Sequence, residues 1–301
     1  MKVLVIGARG QLAIALREVA TFQQVDVTTL GRPEIDLLRP KSIRGPVKRL
    51  EPQIVINTAA YTAADEAEEH ADLAYALNRD GAHDVAKVCA ETNTPLIHIS
   101  TDYVFDGSSR RPNSEVDCAI PVNVYGRSKL EGERAISESI EQHVILRTAW
   151  VHSPFANNFV KTILSMTENQ HEIRIVNDQI GNPTYAPHLA AGILEMCRQI
   201  TRRKRKTSPW GTYHLTGSGE ATWYELAREV VERSCSFGGP TTRLRAIATR
   251  EYPTKAIRPA DSRLDCSKCQ DAFGIKLPEW RSGVADCVKR LLTQSIADIG
   301  E

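Results

Sequence analysis

The chain has 301 residues, with 38 Lys and Arg against 37 Asp and Glu. That length supports one large domain or two modest ones, and the even charge gives no global field to attract nucleic acid or an anionic membrane. Seven cysteines, an odd number, suit reduced thiols better than a disulfide framework.

The first half alternates short apolar runs with longer amphipathic ones, the pattern of strands joined by crossover helices. Strands are predicted at Val3–Ile6, Val25–Thr29, Ile54–Thr58, Leu96–Ser100 and Val144–Arg147. Helices are predicted at Gln11–Ala20, Pro40–Leu50, Glu66–Glu91 and Val124–Ser139. The strands are rich in β-branched residues and do not alternate strictly, as expected of a parallel sheet covered on both faces. The fold class is therefore α/β, a doubly wound, mostly parallel Rossmann-type sheet.

Beyond Trp150 the pattern loosens. Helices are predicted at Asn158–Thr167, Leu189–Ile200, Trp223–Arg233 and Gly283–Thr293, with short strands at Glu172–Val176 and Tyr213–Leu215. The expected division is a cofactor-binding domain over 1–150, with return segments near 173–200. A smaller α/β substrate-binding lobe takes 151–172 and 201–301. The N-terminus opens on a strand with no room for a signal peptide, and no apolar run reaches membrane-spanning length, so a cytoplasmic protein is expected. The basic run Arg202-Arg203-Lys204-Arg205-Lys206 lacks interleaved aromatics and reads as a solvated connector. Cys266-Ser267-Lys268-Cys269 lacks a second ligand pair, so no metal site is expected.

Gly7-Ala8-Arg9-Gly10-Gln11-Leu12-Ala13 joins the first strand to the first helix. Gly7 and Gly10 there allow a tight turn and close approach of a pyrophosphate to the helix N-terminus. The second strand runs into Leu30-Gly31-Arg32 without the acid that would bind the ribose hydroxyls of NAD. Arg32 would instead pair with a 2′-phosphate, so NADPH is the expected cofactor and NADH remains possible. Asp36 reads equally well as an adenosine neighbour or a turn cap.

Tyr125 and Lys129 lie four residues apart on one face of a predicted helix. A phenol with a pKa near 10 needs help to move protons at neutral pH, and an adjacent ammonium would bring it down. Thr101 and Asp102 end the fourth strand, at the sheet edge where ligands bind in such folds. The Thr101 hydroxyl would hold a carbonyl beside the phenol. Taken alone, Thr101 and Asp102 read as well as turn caps.

Together Thr101, Tyr125 and Lys129 resemble the active site of the extended short-chain dehydrogenase/reductases. Further motifs narrow the resemblance to the dTDP-4-dehydrorhamnose reductase family. These are Asn57-Thr58-Ala59-Ala60-Tyr61-Thr62, Ser100-Thr101-Asp102-Tyr103-Val104-Phe105, Arg147-Thr148-Ala149-Trp150-Val151, Asn177 to Thr184, and Arg258-Pro259-Ala260-Asp261-Ser262-Arg263-Leu264. The resemblance implies reduction of a dTDP-linked keto sugar at C4 with NADPH, Tyr125 giving the proton. Lys129 would bind the nicotinamide ribose, and Thr101 would orient the carbonyl. It also implies pyrophosphate contacts at Gly10, Gln11 and Leu12 and adenosine contacts at Asp36 and Leu37. Further cofactor contacts fall at Ala60, Tyr61, Thr62 and Ile99, and sugar-nucleotide contacts at Asp102 and Trp150. Some members dimerise through magnesium held by glutamates. Ala15 stands at the first-helix position of that set, so a monomer or a metal-independent dimer is expected. A catalytically silent, nucleotide-binding regulatory subunit and a sugar-nucleotide epimerase or 4,6-dehydratase are the alternatives. The intact catalytic set argues against the first, and Tyr103 after Asp102, where a dehydratase has a second acid, against the dehydratase.

Overall fold

The structure, a computed structural model, describes residues 1–202 and 209–299. In chain order the first half holds β1 (Lys2–Ile6), α1 (Gln11–Phe22), β2 (Asp26–Leu30), α2 (Lys41–Leu50) and β3 (Ile54–Asn57). Then come α3 (Ala64–Glu69), α4 (Ala71–Tyr75), a π-helical turn (Ala76–Asp80), α5 (Gly81–Glu91), β4 (Leu96–Thr101), α6 (Val124–Ser139) and β5 (His143–Thr148). The second half holds β6 (Val151–His152), α7 (Phe159–Asn169), β7 (Glu172–Val176), β8 (Ile180–Gly181), β9 (Thr184–Tyr185) and α8 (Ala186–Arg202). It continues with β10 (Gly211–His214), β11 (Ala221–Thr222), α9 (Trp223–Ser236), β12 (Arg243–Ile247), α10 (Ser267–Phe273) and α11 (Trp280–Ile299).

Six strands form one parallel sheet in the order β2-β1-β3-β4-β5-β10. Helices α1, α8 and α10 cover one face through Leu16, Ile193 and Phe273. Helices α2, α5 and α6 cover the other through Ile43, Val85 and Ile136. Covering both faces explains the unbroken β-branched runs, because each strand residue meets a helix whichever way it points. A second core of α7, α9, α11 and β7 gathers around Trp280, Val230 and Ile163. The strand Glu172–Val176 pairs with β12, outside the main sheet. Gly211–His214, predicted with the smaller lobe, instead extends the main sheet beside β5. Residues Arg203 to Lys206 of the basic run lie outside the described residues. No helix among the described residues is long and apolar enough to cross a membrane.

The single helix predicted over Glu66–Glu91 is broken. His70, at φ −121° and ψ 48°, leaves the helical region between α3 and α4. The π-helical turn that follows carries Asn78, whose side chain bonds Tyr61 N, Tyr61 O and Ser128 Oγ at 2.8–3.0 Å. Apolar periodicity hides such a break, because the amphipathic face continues through it.

Helix α6 lies unusually close to its neighbours. A Cβ at Gly132 would sit 2.0 Å from the Asn78 carbonyl oxygen, and one at Gly126 would sit 2.1 Å from the Tyr103 carbonyl oxygen. Glu133 on the same helix is buried against β4 and β5. It accepts hydrogen bonds from Ser100 Oγ at 2.5 Å and from Arg147 Nη2 at 2.6 Å. The Arg147 guanidinium also lies 5.2 Å from the Phe105 ring. Arg147→Met should cost about 3–5 kcal/mol in urea unfolding, because it strands a buried carboxylate. A loss below about 1 kcal/mol would show that this pair does not hold α6 to the sheet.

Candidate active site

The Gly7 to Leu12 loop opens at the C-terminal edge of the sheet. Gly7 has φ +112°, and a Cβ there would lie 2.5 Å from Thr58 Oγ1, so glycine is required. Gly10 begins α1 with no side-chain cap and no atom within 4 Å of a would-be Cβ. The first turn of α1 is thus uncapped beside open space, an arrangement that can receive a pyrophosphate. The Leu12 side chain is buried in the core, and that of Gln11 is tied to the second half of the chain. Gln11 Nε2 donates to Val151 O at 3.2 Å, and Ser153 Oγ donates to Gln11 Oε1 at 2.7 Å. Only the backbones of Gln11 and Leu12 are left for a phosphate.

Arg32 is exposed just beyond β2. Asp36 Oδ1 accepts from Leu38 N at 3.1 Å, a turn cap, and Leu37 is buried beneath Gly81. The Ala60-Tyr61-Thr62 segment leaves β3 at the same edge and is pinned there by Asn78.

Thr101, Asp102 and Tyr125 meet at the end of β4. Thr101 Oγ1 donates to Asp102 Oδ1 at 3.1 Å and accepts from Tyr103 N at 3.2 Å. The Tyr125 phenol lies close enough to Thr101 to feel its hydroxyl, and its ring meets the Tyr103 ring edge-on with centroids 5.6 Å apart. Lys129 is buried one turn further along α6. Its Nζ donates to Ile99 O at 2.6 Å and lies 3.1 Å from His98 Nε2.

The electrostatics differ from the sequence expectation that the amine would draw the phenol down. Burial pushes Tyr125 up to about 12 against the pull of Thr101, and Asp102 adds to the rise. Burial also lowers the Lys129 amine to about 8, with Glu133 opposing. Desolvation outweighs pair attraction here, and the amine is turned to Ile99 and His98. Asp102 is pushed up to about 6 by burial, against the Ser262 and Thr101 hydroxyls. Its Oδ2 is buried without a hydrogen bond of normal geometry, as is Thr148 Oγ1 on β5, directly across the ladder from Thr101. Two orphaned polar atoms at one sheet edge suit a polar ligand.

A cleft of about 460 Å³ opens from Tyr125 and Tyr103 towards the second core, between Phe159, Trp223, Arg174 and Arg258. Trp223 stacks on Trp150 with centroids 3.6 Å apart and planes at 5°. A Cβ at Gly181 would lie 2.5 Å from the Trp150 ring on Cε2. Trp223 stacked on it and Gly181 close by leave Trp150 only partly exposed. Trp223 is the aromatic presented to the cleft, and its indole N–H donates to Gln179 Oε1 at 3.2 Å. From the sequence, Trp223 is expected only as a helix start. Arg258 crosses to α3, where Asp65 accepts its Nη2 at 2.6 Å. Nothing local in the sequence marks Trp223, Phe159 or Arg174, since three separate elements bring them together.

Comparison with known proteins agrees with this geometry. The family model described as RmlD substrate binding domain matches residues 1–293. The dTDP-4-dehydrorhamnose reductase of Sinorhizobium fredii is 40% identical over 294 residues, covering 98% of this chain and 99% of that protein. The chain belongs to the dTDP-4-dehydrorhamnose reductase family. A crystal structure of a family member from Clostridium acetobutylicum superposes with a TM-score of 0.89 at 32% identity, covering 97% of this chain and 100% of that one. One from Bacillus anthracis, in complex with NADP, gives a TM-score of 0.86 at 32% identity, covering 98% and 100%.

The raised Asp102 carboxyl carries a stability cost with a definite sign. Folded Asp102 titrates near 6 and the unfolded residue near 3.8, so stability falls as pH rises between those values and stays lower above them. Asp102→Asn should therefore stabilise the fold at pH 8 by on the order of 2 kcal/mol. In urea unfolding the gain should vanish below about pH 4. An equal gain at both pH values would mean that carboxylate burial is not its source.

Proposed function

We propose that this protein reduces the C4 ketone of dTDP-4-dehydro-L-rhamnose to dTDP-L-rhamnose with NADPH, the last step of dTDP-rhamnose biosynthesis. The single observation that carries the reading is the meeting of Thr101, Tyr125 and Lys129 where the cofactor edge of the sheet joins the cleft. Full-length membership of the family supports the same reaction.

The open first turn of α1 at Gly10 fits a dinucleotide pyrophosphate. The Gly10, Gln11 and Leu12 amides would hold it, Gly7 would let the chain turn, and Arg32 would meet the 2′-phosphate. Asp36, Leu37, Ala60, Tyr61, Thr62 and Ile99 border the same edge, Asp36 and Leu37 chiefly through their backbones. When bound, NADPH supplies the hydride. Thr101 orients the substrate carbonyl, and the Tyr125 phenol, protonated throughout the neutral range, gives its proton to the oxygen at C4. Lys129 would present its free N–H to the ribose. Asp102 would accept a sugar hydroxyl at its orphaned Oδ2. The cleft at Trp223, Arg174 and Arg258 would take the nucleotide. We place the activity in the cytoplasm, in a monomer or a metal-independent dimer.

Loss of NADPH absorbance on adding the keto sugar nucleotide tests the activity directly. A folded, NADPH-binding protein without turnover would favour a silent regulatory subunit instead. Tyr125→Phe should lower kcat roughly 10²–10⁴-fold while NADPH binding, read by fluorescence, is kept. Near-normal turnover would remove Tyr125 from proton transfer. Arg32→Asp should raise the KM for NADPH more than that for NADH. An unchanged preference would show that Arg32 does not read the 2′-phosphate.

A further inference from the structure

Behind Lys129 the sheet holds two buried polar residues that the reaction above does not use. Asn57 ends β3 and pairs in register with His98 of β4, and each is 1% exposed. Ala59 N donates to Asn57 Oδ1 at 3.2 Å. This contact decides which end of the amide is oxygen, because the turned-over amide would set N–H against N–H. Asn57 Nδ2 therefore donates to His98 Nδ1, 3.2 Å away. A neutral imidazole that accepts at Nδ1 carries its one proton on Nε2. Burial alone acts strongly to hold His98 below its ordinary pKa, so the ring is neutral whichever form Lys129 takes.

The Nε2 proton then points at Lys129 Nζ, 3.1 Å away. An ammonium has three donors and no lone pair, so it cannot accept. A free amine satisfies both neighbours. It accepts from His98, donates to the Ile99 carbonyl at 2.6 Å, and keeps one N–H for a ligand.

We propose that Asn57, by fixing His98 as the Nε2–H tautomer, makes His98 a hydrogen-bond donor to Lys129 and biases Lys129 towards the free amine. His98 and Asn57 are thus positioning residues that set the protonation of the amine serving Tyr125. Other groups act on Lys129 as well. Glu133 lies one turn along α6, and Arg147 from β5 neutralises it. Tyr125 and Asp102 lie towards the cleft, and from the crossover side α6 meets the uncharged Asn78. None of these offers a fixed N–H to the Lys129 nitrogen. Burial of the amine acts in the same direction as the His98 donor.

Two variants release the bias. In Asn57→Asp one oxygen still accepts from Ala59 N, and the other accepts from His98 Nδ1. The imidazole proton is drawn to Nδ1, and the Nε2 lone pair faces Lys129. His98→Gln removes the fixed donor without adding charge, because its amide can turn its oxygen to the ammonium. Long-range ¹H–¹⁵N spectra of the ligand-free, histidine-labelled protein should show His98 as Nε2–H in the wild type and as Nδ1–H in Asn57→Asp. His98→Gln identifies the resonance by its loss. The alkaline limb of kcat/KM for NADPH oxidation, set by loss of the Lys129 ammonium that assists Tyr125, should move up by about one pH unit or more in both variants, since Lys129 then keeps its proton to higher pH. A wild-type Nδ1–H signal would overturn the proposal. So would limbs that stay put in both variants.

The activity arm rests on the reductase reading, whereas the tautomer arm does not. Absence of turnover in the wild type would sink that reading and leave the spectra to decide this one. If Asn57→Asp does not fold, the wild-type tautomer and His98→Gln still decide it.

Discussion

The close approach of α6 to the β4–β5 edge is the constraint on which the site depends. Gly126 and Gly132 let the helix backbone come against the Tyr103 and Asn78 carbonyls, where any side chain would collide. Glu133 then reaches both Ser100 and Arg147, and Ser128 is met by Asn78. A buried carboxylate with a bidentate guanidinium and a hydroxyl is strongly directional, so the helix has little freedom to slide or rotate. Tyr125 and Lys129 are spaced along that same helix. Their positions relative to Thr101 and Ile99 follow from how α6 is clamped, and the Lys129 bond to the Ile99 carbonyl adds to it.

Clamping has an electrostatic consequence. The groups around the reacting centre are so well removed from water that each leans to its neutral form. The phenol and the Asp102 carboxyl are raised, while the Lys129 amine and the His98 ring are lowered. Such a centre is suited to giving a proton to an oxygen that gains charge when a ligand is present. The orphaned atoms of Asp102 and Thr148 show that the edge is not self-satisfied.

The second half of the chain completes the site by crossing back twice. α8 and β10 return to the main sheet, and α7, α9 and α11 build the second core whose aromatic rim is Trp223 and Phe159. Ion pairs from Arg258 to Asp65 and from Lys255 to Glu69 join the loop after β12 to α3. Their sequence separation explains why the cleft cannot exist in either half alone. The Gln11 side chain, bonded to Val151 and Ser153, makes the same connection from the glycine loop.

Much of this was legible in the sequence, because it rests on local chemistry. Every strand of the first half and most helices follow from apolar runs and their periods, and the glycine loop and the Tyr125–Lys129 spacing follow from short-range geometry. The break within 66–91 was not legible. It serves the Asn78 contacts with Tyr61 and Ser128, which lie 17 and 50 residues away. The raised state of the phenol was hidden from the sequence for the same kind of reason. Helical spacing sets Lys129 beside Tyr125, but only the packed sheet supplies the Ile99 carbonyl and the His98 ring that engage the amine. Trp223 and Arg174 carry no local pattern and become neighbours of Arg258 only once the second half of the chain folds. The sequence by itself determined which chemistry is present and on which elements. Tertiary structure alone decided the burial, and hence the charge, of each group, because desolvation depends on what the rest of the chain places around it.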